Sequence, residues 1–214
     1  MFRFVSEAKI RVISEIVANY LNIMKDIEYI ESVKKQFEYY KMLGEKTFAQ
    51  VEDEKLFHKM NEESNSIAII VQHLWGNMLS RWTDFLTTDG EKEWRKRDEE
   101  FEEIVNDKKE LMKRWEEGWK CLFDALNSLR DGDLEKIIYI RNQGHSVMEA
   151  INRQLAHYSY HVGQIVFVGK MLAGSDWKSL SIPRNQSKNY NAQKFSEEKS
   201  RKHFTDEFRD KDKK

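Results

Sequence analysis

Two histidines four residues apart, His157 and His161, sit in the apolar stretch AINRQLAHYSYHVGQIVFVGK (150–170). On an α-helix, residues four apart share a face, with Cβ atoms about 5–6 Å apart. Two imidazoles placed that way can close on one metal ion at roughly 2.0–2.1 Å per bond. A pair is not a site, and the best third ligand is His73, in the other strongly apolar stretch, SIAIIVQHLWGNMLSRW. At about 100° per residue, His161 falls about 40° from His157, and Arg153, Gln154 and Gln164 lie within about 60° of it. The apolar stripe Ile151, Tyr158, Val162 and Ile165 runs beside this face. The histidines therefore stand on a polar strip at the border of a core, as a pocket at one end of a helical bundle requires. Polar tips of this kind are costly to bury without purpose. The spacing alone is a weak motif, and a hydrogen-bonded histidine pair without metal is the plain alternative. Three neutral imidazoles would leave a divalent ion its full charge and open positions, able to lower the pKa of bound water or thiol.

The surroundings narrow the chemistry. The segment His157-Tyr158-Ser159-Tyr160-His161 lacks the glutamate of His-Glu-x-x-His, which argues against a zinc protease of that type. There are no paired Glu-x-x-His motifs, so a carboxylate-rich di-iron bundle is not expected either. No Gly-rich phosphate loop, zinc-ribbon cysteine set or nucleophile elbow occurs. Cys121 lies among the apolar residues of its helix and reads as a structural buried thiol. His58 reads as a surface residue, His145 as a cap or rim residue, and His203 as part of a charged tail.

The elements that must position the histidines are helical. The chain has 214 residues with one proline and nine glycines, which points to long helices with few breaks. Residues 7–24 repeat apolar positions at helical spacing (Ile10, Ile13, Val17, Tyr20, Met24), giving an amphipathic docking or dimer helix. Met24 is a second candidate start, and the mass of the protein made from its native gene would decide between the two. A further helix is expected over 28–50, then a linker with a short helical turn. Ser64, Asn65 and Ser66 cap a helix over about 66–86. The charged loop 87–106 is expected to be pinned by Trp94, Phe101 and Ile104. A third bundle helix spans 107–130. LEKIIYIRN reads as a brief strand or an extended lead. Ser146 with Glu149 forms a capping box for the last long helix, which ends at Gly174. Trp177, Leu180 and Ile182 are expected to pack back, and the polar chain from about residue 184 to be disordered. Four main helices with loops of mixed length fit an all-α four-helix bundle. The division expected is an N-terminal helical extension (1–27), the bundle (28–184) and a tail (185–214).

Charge and composition exclude other classes. Lysine plus arginine number 36 against 37 acids, without the basic excess of a nucleic-acid binder. No stretch approaches the roughly 18 uncharged apolar residues of a membrane span. A single cysteine rules out an internal disulfide and suits a cytoplasmic setting.

The segments NEESNSIAIIVQHLWGNMLSRWTDFLTTDGEKEWRKRDEEFE, INRQLAHYSYHVGQIVFVGK and DWKSLSIPR resemble the DinB-like superfamily, in its uncharacterised branch from Bacillus-type bacteria. The resemblance covers about residues 28–184 and is absent from the first 27 residues and the tail. It implies a bundle of up-down-down-up topology, often a homodimer. It also implies a metal triad of one histidine on the second bundle helix and a His-x-x-x-His pair on the fourth, matching His73, His157 and His161. Characterised relatives include metal-dependent transferases and isomerases that use low-molecular-weight thiols such as bacillithiol. The expectation is therefore a protein that uses a divalent ion (zinc, nickel or iron) to conjugate a small thiol to a small electrophile. Arg153 would hold a carboxylate, and Asn77, Gln154 or Gln164 would supply hydrogen bonds. A metal-dependent hydrolase on the same site and a non-enzymatic stress protein are the alternatives.

Overall fold

The computed structural model describes residues 7–209. What the sequence suggested for residues 1–6, for the Ile10 side chain and for the tail from residue 210 lies outside the described residues.

Four long helices carry the fold: α1 (Glu7–Phe48), α2 (Ile67–Trp82), α3 (Lys108–Ser128) and α4 (Val147–Ala173). Their ends follow local chemistry. The Ser66 hydroxyl accepts from the Ile69 amide at the start of α2, and the Asp107 carboxylate accepts from Glu110 at the start of α3. The Ser146–Glu149 capping box opens α4, and Gly174, at a φ of 57°, ends it. The expected break between residues 24 and 28 does not exist. No proline or glycine interrupts that stretch, so α1 runs unbroken for 42 residues.

Side-chain contacts fix the topology. Tyr29 bonds Asn152 while Gly169 packs on Thr47, so α1 and α4 run parallel. Trp75 bonds Glu117 and Thr83 meets Cys121, so α2 and α3 also run parallel. Phe37 contacts Trp119 and Phe48 contacts Trp115, which sets α1 against α3 in the opposite sense. The order is up-down-down-up. Helix α2 is apolar nearly all round and buries fourteen of its sixteen residues, as expected of a helix at the centre of a core. Phe37, Trp115, Trp119 and Tyr158 form the aromatic centre.

One buried chain of hydrogen bonds locks α2 to α4. Trp82 Nε1 donates to the Tyr158 hydroxyl (2.9 Å), which donates to Asn77 Oδ1 (3.1 Å). Tyr158 follows His157 in sequence, so this chain sets the rotation of α4 that turns His157 toward α2.

Residues 137–146 resolve the strand that the sequence left open. They form a two-stranded antiparallel hairpin, β1 (Ile137–Ile140) and β2 (Gln143–Ser146). Its turn residues Arg141 and Asn142 both have positive φ (55° and 60°), as tight hairpins require. The Asp89 carboxylate accepts from both turn amides at 2.8 Å, and Gly90 N donates to Tyr139 O. The charged loop is thereby tied to the hairpin.

The tail departs from expectation. Residues 187–196 form α5 and 206–209 form α6; α6 folds back on α1, and Lys194 of α5 pairs with Glu207 of α6. Tyr39 packs against Phe204 and Phe208, and Lys35 pairs with Asp206 at 2.9 Å. His203 bonds Ser32 Oγ at 3.1 Å, an anchoring role. Among the described residues no helix is long and apolar enough to cross a membrane.

Candidate metal centre

His73, His157 and His161 converge. Their ligand atoms lie within 4.8 Å of one another, and no other such group of three occurs among the described residues. His157 Nε2 is 3.4 Å from His73 Nε2 and 3.1 Å from His161 Nε2. Four bonds of ~2.05 Å in a tetrahedron set neighbouring donors ~3.3 Å apart, so these two edges fit a zinc-type site.

The outer nitrogens decide which tautomers are present. His73 Nδ1 donates to the Glu100 carboxylate at 2.9 Å, and His161 Nδ1 donates to Gln164 Oε1 at 2.8 Å. Each bond places the ring proton on Nδ1 and turns the Nε2 lone pair inward. Metal-ligating histidines almost always use their second nitrogen this way. Two inward lone pairs cannot hydrogen-bond each other, so the cluster calls for a shared cation, or for one His157 proton that satisfies only one neighbour. Burial first, then the neighbouring His161 and His73, hold the His157 pKa down to about 3. Burial first, then His73, holds His161 down to about 4. Both rings are neutral at pH 7, which is the ligating form.

The supports come from the charged loop. Glu100 is buried and accepts from Arg95 Nε (2.7 Å) and Nη2 (2.9 Å) as well as from His73. Burial opposes its charge, yet the bonds from His73 and Arg95 win and hold its carboxyl below the usual glutamate value. Gly76 makes room for it: a Cβ there would collide with the Glu100 carboxylate. Phe101 stacks on His73 with ring centroids 4.9 Å apart. Trp94 and Ile104, expected to pin the loop, are instead exposed at 56% and 49%.

A cavity of about 330 Å³ opens on the triad. Asn77, Arg153 and Gln154 line it, as helical phase suggested. Gln164 does not; it serves His161. Phe101 and four more arginines, Arg81, Arg95, Arg97 and Arg141, complete the wall, with no carboxylate among the lining residues. Two larger clefts, of about 440 and 480 Å³, lie elsewhere and contain no histidine. Nothing local in the sequence chooses Glu100 over Glu99, Glu102 or Glu103, or brings Arg81, Arg95 and Arg141 to the site. The only hint was a loop of unusual length and charge.

The other singled-out residues stay outside the site. His58 is exposed, and His145 bonds Arg153 Nη1 at 3.0 Å on the rim. Cys121 is half-buried, and burial pushes its thiol pKa up, away from the reactive thiolate.

No curated protein and no solved structure matches the chain. A family model does match, over residues 25–186, and its span includes all three histidines and the loop that orients them. The chain belongs to the family described as Protein of unknown function (DUF1572).

Proposed function

We propose that this chain is a DinB-like metal-dependent enzyme, with His73, His157 and His161 as the protein ligands of one divalent ion, acting on a small molecule in the adjoining cavity. The carrying observation is the convergence of three Nε2 atoms, two with their rings oriented through Nδ1 by Glu100 and Gln164. Neutral, buried imidazoles suit zinc, nickel or iron alike. When bound, the ion would supply an open position and hold a thiol as its nucleophilic thiolate at neutral pH.

Transfer of a low-molecular-weight thiol to an electrophile is the reading favoured here. Water activation for hydrolysis commonly enlists a carboxylate base beside the metal. The cavity wall has none, and Glu100 is already engaged by His73 and Arg95. A thiol is far more acidic than water, so activation by an ion alone goes further with it. The residues then divide the work. Glu100 and Gln164 keep two ligands aimed, Phe101 covers one side of His73, and Asn77, Gln154 and Arg153 face the bound molecule.

The test is a conjugation assay with zinc-, nickel- or iron-loaded protein, a panel of cellular thiols and a panel of small electrophiles. Thiol-dependent product formation that His157→Ala abolishes supports the transferase. Turnover of ester or amide substrates without thiol would overturn it in favour of a hydrolase. Failure of every pair with metal-loaded, folded protein would favour a non-enzymatic role.

A further inference from the structure

The cavity beside the triad carries more positive charge than the fold uses. Arg81, Arg95, Arg97, Arg141 and Arg153 all line it. Three carboxylates answer them: Glu91 pairs with Arg81 (3.2 Å), Arg95 (3.5 Å) and Arg141 (3.0 Å), Glu100 pairs with Arg95, and Asp98 pairs with Arg97 (3.9 Å). Five guanidinium groups against three carboxylates leave two positive charges around one small space, before any metal is counted. Like charges also crowd there, since Arg95 adds to burial in pushing the Arg81 pKa down.

Polar atoms on this wall lack partners. Arg81 is 7% exposed and its Nε donor has no hydrogen-bond partner; Arg95 Nη1 has only its 3.5 Å pairing with Glu91, and the buried Gln154 Oε1, an acceptor, has no partner. Buried donors are almost always satisfied, and orphans beside a cavity mark groups that a ligand completes. Arg141 reaches the rim from the hairpin turn, where the Asp89 carboxylate holds its amide.

We infer that the substrate of this site carries at least two negative charges, as carboxylates or as phosphate, held by Arg141 and Arg153 in the field of the buried Arg81 and Arg95 while its reactive end meets the triad. The inference rests on the reading of this cavity as the reaction site. Guanidinium groups bind both anions in bidentate fashion, so the shared chemistry is a compact dianion.

Calorimetric titration tests it with succinate, inorganic phosphate and neutral succinamide, using zinc-loaded wild type and the metal-free His157→Ala protein. Dianion binding, absence of succinamide binding, and a loss of about tenfold or more in Arg153→Gln and in Arg141→Gln are expected. Both variants change exposed side chains and keep the fold. The stronger of succinate and phosphate identifies the anion class. Binding that survives in His157→Ala supports an arginine site even if the metal reading fails. No dianion binding in either protein, or binding indifferent to both arginine variants, overturns the inference.

Discussion

Replacing Glu100 by glutamine isolates the support of the triad from the triad itself. The carboxylate is 7% exposed in its side chain and receives three hydrogen bonds, two from Arg95 and one from His73 Nδ1. Glutamine keeps the shape and removes the charge. Arg95, itself 2% exposed, then loses its main counter-charge, and breaking a buried pair from one side costs about 3–5 kcal/mol. Glutamine retains one acceptor, so the low end of that range is expected. The second effect falls on the metal. Losing the group that orients and polarises a histidine ligand costs about 10–100-fold in affinity, or about 1.4–2.8 kcal/mol. Denaturant unfolding reads the first quantity, and competition with a fluorescent zinc chelator on folded protein reads the second. The pH dependence has a definite sign. Glu100 titrates below its usual value in the fold, so its stabilisation is full above the unfolded value of ~4.5 and is lost as pH falls through the lower folded value. Glu100→Gln should remove that part of the acid-unfolding limb. Wild-type metal affinity in folded Glu100→Gln protein would refute the reasoning, because the carboxylate would then serve the loop alone.

Three further outcomes follow from neighbouring contacts. Gly76→Ala drives a methyl group into the Glu100 carboxylate, so it should weaken metal binding in the same assay while keeping every charge, at a stability cost of about 1–3 kcal/mol. Tyr158→Phe leaves Trp82 Nε1 without its acceptor and Asn77 without its donor; unfolding by urea should show a loss of about 1–3 kcal/mol. Asp89→Ala frees the hairpin turn that carries Arg141, and amide hydrogen exchange at Arg141 and Asn142 should rise sharply while exchange in α2 stays unchanged. The Asp89 carboxyl is partly desolvated, yet the amides of Asn142, Glu91 and Arg141 hold its pKa below the ordinary aspartate value. Its contribution is therefore full above pH ~3.8 and fades as pH falls through the lower folded value.

The histidine triad was readable because helical phase is a short-range property. The i,i+4 spacing placed His157 and His161 on one face, and apolar α2 was the natural partner to offer His73. Helix starts at Ser66, Asp107 and Ser146 were readable for the same reason, since each cap is a contact within three residues. What escaped was long-range. Glu100 meets His73 across 27 residues, and among six glutamates in the loop nothing local distinguishes it. Arg141 reaches the cavity only because a hairpin turn is tied down by Asp89, 52 residues earlier. The tail read as disordered because its composition is polar, but the few aromatic residues Phe204 and Phe208 find Tyr39, and ion pairs such as Lys35–Asp206 complete the docking. The continuity of α1 was missed by assuming a break where no breaker stands.

The central claim is that three histidines hold one divalent ion. Elemental mass spectrometry tests it most directly, on protein purified without chelator or histidine tag, with His157→Ala beside it. The account predicts about one zinc, nickel or iron per chain in the wild type and none in the variant. A folded wild type that is metal-free and refuses all three added ions would contradict it, and the triad would then be a hydrogen-bonded cluster of neutral imidazoles.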